Sequence, residues 1–171
     1  VVAGYGFRST ERCADWRDGF TLFESSVQSF PGSVRARYNL AGELLEREAF
    51  DEAEAHLLVA QKFTPGAPEV LNLLGEVEWR RRRTANARSY YERSYGVRPT
   101  PRALSGLCRT IVVGGQAEAG LEYCAAAASE YPADAMVLHF FGLALEASGR
   151  HEEAVHALLD AQRLEPGHAG I

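Results

Sequence analysis

A chain of 171 residues that is 46% hydrophobic and 24% charged has the composition of a globular protein large enough to bury a core. Its net charge of −5 and isoelectric point near 5.6 argue against a nucleic-acid binder held by bulk positive charge. Cys13, Cys108 and Cys124 are odd in number and scattered without a C-x-x-C pair, which gives neither a disulfide framework nor a zinc site.

The chain opens on VVAGYGF, too short for a signal peptide but apolar enough to be the trimmed end of something longer. Residues 1–14 read as a lead-in, with room for an atypical capping helix. A helix is expected near 15–29, in DWRDGFTLFESSVQS. Pro31, Pro65, Pro99, Pro132 and Pro166 then follow one another at spacings of 34, 34, 33 and 34 residues. A fixed period of this length marks a repeat architecture. Phe50 to Gly66 and His151 to Gly167 even agree at eight positions without a gap, among them Leu57/Leu158 and Ala60/Ala161. Inside each period the apolar residues keep helical spacing and are split by a polar turn, as in REAF at 47–50 and ASGRH at 147–151. Each unit is therefore a helix–turn–helix, closed by a proline that lacks a backbone donor and clashes with the preceding turn. The predicted pairs are 34–47 with 50–63, 68–81 with 85–98, 102–113 with 117–130, and 135–148 with 151–164. No apolar run reaches the ~18–20 residues of a spanning helix.

These residues resemble the tetratricopeptide repeat (TPR) family. Counted back from each proline, the family's large seventh position falls on Leu40, Leu74, Leu107 and Phe141, and its small eighth on Ala41, Gly75, Cys108 and Gly142. The small twentieth falls on Ala53, Ala87, Gly120 and Ala154. Position 24 is Leu57, Tyr91, Cys124 and Leu158, and position 27 is Ala60, Ser94, Ala127 and Ala161. Small residues let paired helices cross closely, and the large ones fill the gap to the next unit. The expected fold is an all-α TPR solenoid. Its organisation is a partial unit at 15–33, four units at 34–67, 68–100, 101–134 and 135–168, and a tail at 169–171. Trp16, Gly19, Phe23 and Ser26 keep the phase in the partial unit.

Three departures stand out. The third unit is one residue short and turns through VGGQ (113–116). Glu78 sits where the family has a large apolar residue, so looser packing is expected there. Cys124 is small for its position and lies in the run CAAAAS, which makes the third unit the one expected to be least stable.

Catalytic chemistry is not expected in this segment. HEEAVH (151–156) lacks the second histidine at i+4 that H-E-x-x-H requires; His156 comes at i+5, turned about 140° from His151 on a helix. Cys108 and Cys124 occupy packing positions and read as small hydrophobes. No phosphate loop, nucleophile elbow or acid/base pair is visible, so no cofactor, metal or catalytic site is expected. WRRRR (79–83) reads as a solvated basic turn or, alternatively, a contact for an acidic ligand.

The TPR resemblance implies a protein–protein interaction scaffold whose concave groove, lined by the first helix of each unit, takes a peptide or partner protein. By repeat phase the groove positions are Arg35, Tyr38, Asn39 and Glu46; Glu69, Asn72, Glu76, Trp79 and Arg80; Arg102, Ser105 and Arg109; and His139 and Phe140. Trp79 with Arg80 and Arg109 would suit an apolar anchor beside a carboxylate, or Trp79 could simply pack between first helices. The two-carboxylate clamp of chaperone-binding TPR proteins is excluded, because its positions hold Tyr38, Gly42, Leu73 and Gly106, with only Arg102 in keeping. Nucleic acid and direct membrane contact by the repeats are not expected. The segment 7–41 also resembles the junction after the last membrane helix of the transmembrane and TPR-containing O-mannosyltransferases and their bacterial relatives, through Arg8, Asp15, Trp16, Leu22, Phe23, Pro31 and Tyr38 to Ala41. That resemblance implies an alternative: a non-catalytic recruiting arm tethered to a membrane-bound glycosyltransferase-like part before residue 1. Finally, the helix near 151–164 is expected to meet a second copy of the chain, or sequence beyond Ile171, on its outward side.

Overall fold

A computed structural model describes residues 19–164. They form α1 (Gly19–Ser29), α2 (Val34–Glu46), α3 (Phe50–Phe63), α4 (Pro68–Arg80), α5 (Thr84–Val97), α6 (Pro101–Val113), α7 (Ala117–Glu130), α8 (Ala135–Ala147) and α9 (His151–Leu164), with no strand among the described residues. The four expected pairs are present, each boundary within about a residue of the proline-period expectation. The lead-in 1–14, residues 15–18 and residues 165–171 lie outside the described residues. The chain divides into two compact units, Val1–Pro65 with α1 to α3 and Gly66–Ile171 with α4 to α9.

Local chemistry fixes where helices start and stop. Ser33, Thr100 and Asp134 each accept, through a side-chain oxygen, the backbone N–H three residues on, at 3.1–3.3 Å. Pro68 and Pro101 stand at the first helical turn, where their missing donor costs nothing. At the turn inside every repeat, the N–H of Ala49, Arg83, Gln116 or Arg150 donates to the carbonyl of Leu44, Glu78, Ile111 or Leu145, at 2.9–3.1 Å. This is the helix ending that needs a left-handed residue one place earlier. Glu48 (φ 59°), Arg82 (62°), Gly115 (78°) and Gly149 (77°) supply it.

Packing within a repeat is small against large. Ala41 and Leu57 are both fully buried in the first compact unit. In the second, Gly75 leaves room for the Tyr91 ring and Gly142 for Leu158: a Cβ on either glycine would stand 2.8 or 2.6 Å from its neighbour. The 101–130 pair breaks the rule, and here the structure corrects the sequence reading. Cys108 and Cys124 are not free packing cysteines; they form a disulfide between α6 and α7, with Cα atoms 5.0 Å apart. Two residues scattered by 16 positions meet because both belong to the helix-pair seam.

Glu78 corrects the second expectation. Instead of loosening the core it is buried, with only 3% of its surface exposed. Its carboxylate accepts from Arg81 (3.0 Å), Arg83 (3.4 Å) and Asn86 (2.6 Å), tying the arginine turn to the end of α4. Burial alone would raise its pKa, but the Asn86 and Arg81 hydrogen bonds and the charges of Arg83 and Arg81 outweigh it, and the net shift is downward.

Candidate functional site

In the second compact unit, α4 packs beside α6 and α6 beside α8, whereas α5, α7 and α9 do not pack against one another. The first helices thus form the close-set layer and the second helices the splayed one. A layered sheet of helices curves toward its close-set side, so the face presented by α4, α6 and α8 is the concave one.

On that face the repeat phase brings Glu76 and Arg109 together, both at the ninth position of successive units. Arg109 donates from Nη2 to the Glu76 carboxylate and to the Tyr91 hydroxyl, which itself donates to Glu76 at 3.1 Å. The Arg109 guanidinium also lies over the Trp79 ring, 4.7 Å from its centre. Arg109 keeps only 6% of its surface exposed, and its Nε is buried without a hydrogen-bond partner among the described residues. Burial pushes the Tyr91 phenol well above its ordinary pKa, against the Arg109 charge. Four side chains from three helices are thereby locked together, and the Arg109 charge is largely neutralised inside the protein.

The other groove positions fall into distinct settings. Asn72 is buried and donates to Thr100 at 3.0 Å, joining α4 to the start of α6, while its side-chain oxygen Oδ1 has no partner among the described residues. Glu69 is exposed and pairs with Arg98 at 2.7 Å. Arg80 is exposed, with Nε 3.8 Å from Glu76. Ser105 is buried. Arg102 is exposed and has no ion-pair partner among the described residues. His139 is exposed and meets Phe140 edge-on at 5.4 Å. Elsewhere on α6 and α8, Val113 and Met136 are more than half exposed, and Phe140 and Leu143 half-buried. In the first compact unit Arg35 and Glu46 are exposed and Tyr38 and Asn39 half-buried on α2. Sequence reasoning singled out Glu76 and Arg109 but did not pair them; Tyr91 and Glu78 it missed as polar anchors, having read both only as packing positions.

His151 and His156 of HEEAVH both stand exposed on α9. Among the described residues no three His, Cys, Asp or Glu side chains converge as a metal site would need. No described helix is long and apolar enough to cross a membrane. Of the arginine run, Arg81 and Arg83 are engaged by Glu78.

Helix pairs recurring at a 34-residue period define a helical-repeat scaffold. Family models described as tetratricopeptide repeat match residues 14–77, 58–103 and 137–168. The chain belongs to the tetratricopeptide repeat family. Solved structures agree on the fold. The crystal structure of MamA shares 17% identity, covering 94% of this chain and 95% of that one at a TM-score of 0.71. A MamA from Desulfovibrio magneticus RS-1 shares 22% identity over 78% and 76% of the two chains, at 0.67. YrrB, a TPR protein with an unusual peptide-binding site, shares 17% over 96% and 82%, at 0.66. Among curated proteins none matches significantly. All three matching family models are repeat models, which adds nothing to the mannosyltransferase resemblance.

Proposed function

We propose that the face of α4, α6 and α8 binds an extended peptide or a helix of a partner protein, and that recognition rather than catalysis is this segment's role. The observation that carries the reading is the division of labour on that face. Arg109 and Glu76 satisfy each other within the protein, while Arg102, with no ion-pair partner among the described residues, stands on the same layer as half-buried Trp79 and the apolar group of Val113, Met136, Phe140 and Leu143. A ligand carrying a carboxylate for Arg102 and apolar side chains for the α6–α8 end matches it, since aromatic residues and arginine carry most interface energy. Trp79, Arg80, Glu69, Asn72 and His139 border that ligand; Arg35, Tyr38 and Asn39 offer the corresponding face of the first unit. The peptide-binding site of YrrB, on the same fold, supports this use of a TPR array.

Peptides selected against the chain from a random library provide the test. Arg102→Glu should weaken their binding at least about tenfold, equivalent to about 1.4 kcal/mol, without changing the melting temperature. Undiminished affinity would remove Arg102, and with it the acidic ligand, from the reading.

On α9, Val155 and Leu159 are 55% and 45% exposed at a spacing of one turn. We extend the proposal to this stripe, with a second copy of the chain as its occupant. Sedimentation showing a monomer at high concentration would refute that extension. No feature of the described residues supports the tethered-arm alternative.

A further inference from the structure

The seam of the 101–130 pair differs from every other seam in the second compact unit. Gly75 faces the Tyr91 ring and Gly142 faces Leu158, a small residue against a large one. At the same two repeat positions α6 and α7 carry Cys108 and Cys124, and the surrounding residues of α7 from Ala125 to Ala128 are alanines that cannot supply the missing bulk. The two sulfurs fill the seam only because they are bonded. As thiols they would need the wider separation of non-bonded atoms, and α6 and α7 would have to part.

We propose that this disulfide is the packing element of the third repeat, so that the repeat is ordered under oxidising conditions and loosens on reduction. Both cysteines are buried, with 1% and 0% of their surfaces exposed. A reductant therefore reaches the bond only through local opening of the helix pair. The bond sits in one cluster with Ala144, and Val112, Leu121, Phe140 and Phe141 pack against it. Loosening the seam thus frees α8 on the side that carries His139 and Phe140. Formation removes two protons and two electrons from the Cys108 and Cys124 thiols. A protein or small-molecule disulfide takes them up and leaves as two thiols; a dithiol reverses the step. A buried cross-link on which a repeat's packing depends suits a compartment where that exchange runs toward oxidation. The inference does not depend on what occupies the groove.

The experiment has three readouts. Protein produced in an oxidising compartment, denatured and alkylated without reductant, should take up label at Cys13 only; label at all three cysteines would overturn the proposal. On reduction of the native protein with a dithiol, amide exchange across residues 117–130 should quicken at least about tenfold while residues 50–63 stay unchanged. Unaltered exchange in fully reduced protein would also overturn it. The double variant Cys108→Ala/Cys124→Leu restores the small-against-large seam of the other repeats. Its exchange should match that of the oxidised protein and ignore reductant; a variant as loose as the reduced protein would refute the packing role of the bond.

Discussion

The ring of Tyr91 occupies the space that a side chain at Gly106 would need: a Cβ built there would stand 2.6 Å from the ring. Gly75 meets the same ring from α4, with a Cβ distance of 2.8 Å. The ring cannot slide away, because its hydroxyl is held by Glu76 and Arg109. Gly106→Ala should therefore destabilise the fold by about 1–3 kcal/mol, the usual cost of overpacking. Tyr91→Phe, which keeps the ring and leaves Arg109 paired with Glu76 but removes the hydroxyl that bonds both, should cost about 0.5–1.5 kcal/mol. Thermal unfolding of both variants checks this.

Acid sensitivity is expected from Glu78. Its pKa is lower in the folded chain than the ordinary 4.5. In the window between the two values the unfolded state binds the proton more readily. The stabilisation is thus fully present above the unfolded pKa and is lost as pH falls through the folded one. Glu78→Gln should lower the melting temperature at pH 7 and flatten its decline between about pH 5 and 3. Parallel declines in variant and parent would contradict this.

Arg82 carries a conformational cost that Gly115 and Gly149 avoid at the equivalent turn position. Arg82→Gly removes the left-handed strain of a side-chain-bearing residue and should stabilise the protein by about 1 kcal/mol. Glu48→Gly should act in the same direction in the first compact unit. Denaturant midpoints read both effects.

Arg109 is expected to matter first for folding. Its side chain is 7% exposed while Glu76 keeps 28%, so removing it leaves a carboxylate that water can partly reach. The cost of Arg109→Ala is therefore about 2 kcal/mol, below that of breaking a fully buried pair. Arg109→Lys should not rescue it, since a compact, strongly hydrated ammonium cannot reach Glu76 and the Tyr91 hydroxyl while replacing the guanidinium's contact with the Trp79 ring. A melting temperature unchanged in either variant would contradict the assignment.

The proline period and the small-against-large positions made the helix pairs legible, because both reflect requirements that each repeat must meet locally. Glu76 and Arg109 were placed on one face by the same phase. Their pairing was not legible, because a charge at a groove position reads alike whether it faces a ligand or a neighbouring helix. Glu78 misled for a related reason: a carboxylate at an apolar position looks like a defect until the chain turns back and brings Arg81, Arg83 and Asn86 to it. The disulfide escaped notice because cysteine counts weigh number and spacing, whereas Cys108 and Cys124 meet through repeat geometry.

The central claim, recognition by the close-set face of the first helices, is tested most directly by nuclear magnetic resonance of the isotope-labelled chain titrated with a selected acidic–apolar peptide. Backbone and side-chain shifts should concentrate at Trp79, Arg102, Val113 and His139 on α4, α6 and α8. Shifts confined to the outer surfaces of α5, α7 and α9, with those four residues unmoved, would contradict the account.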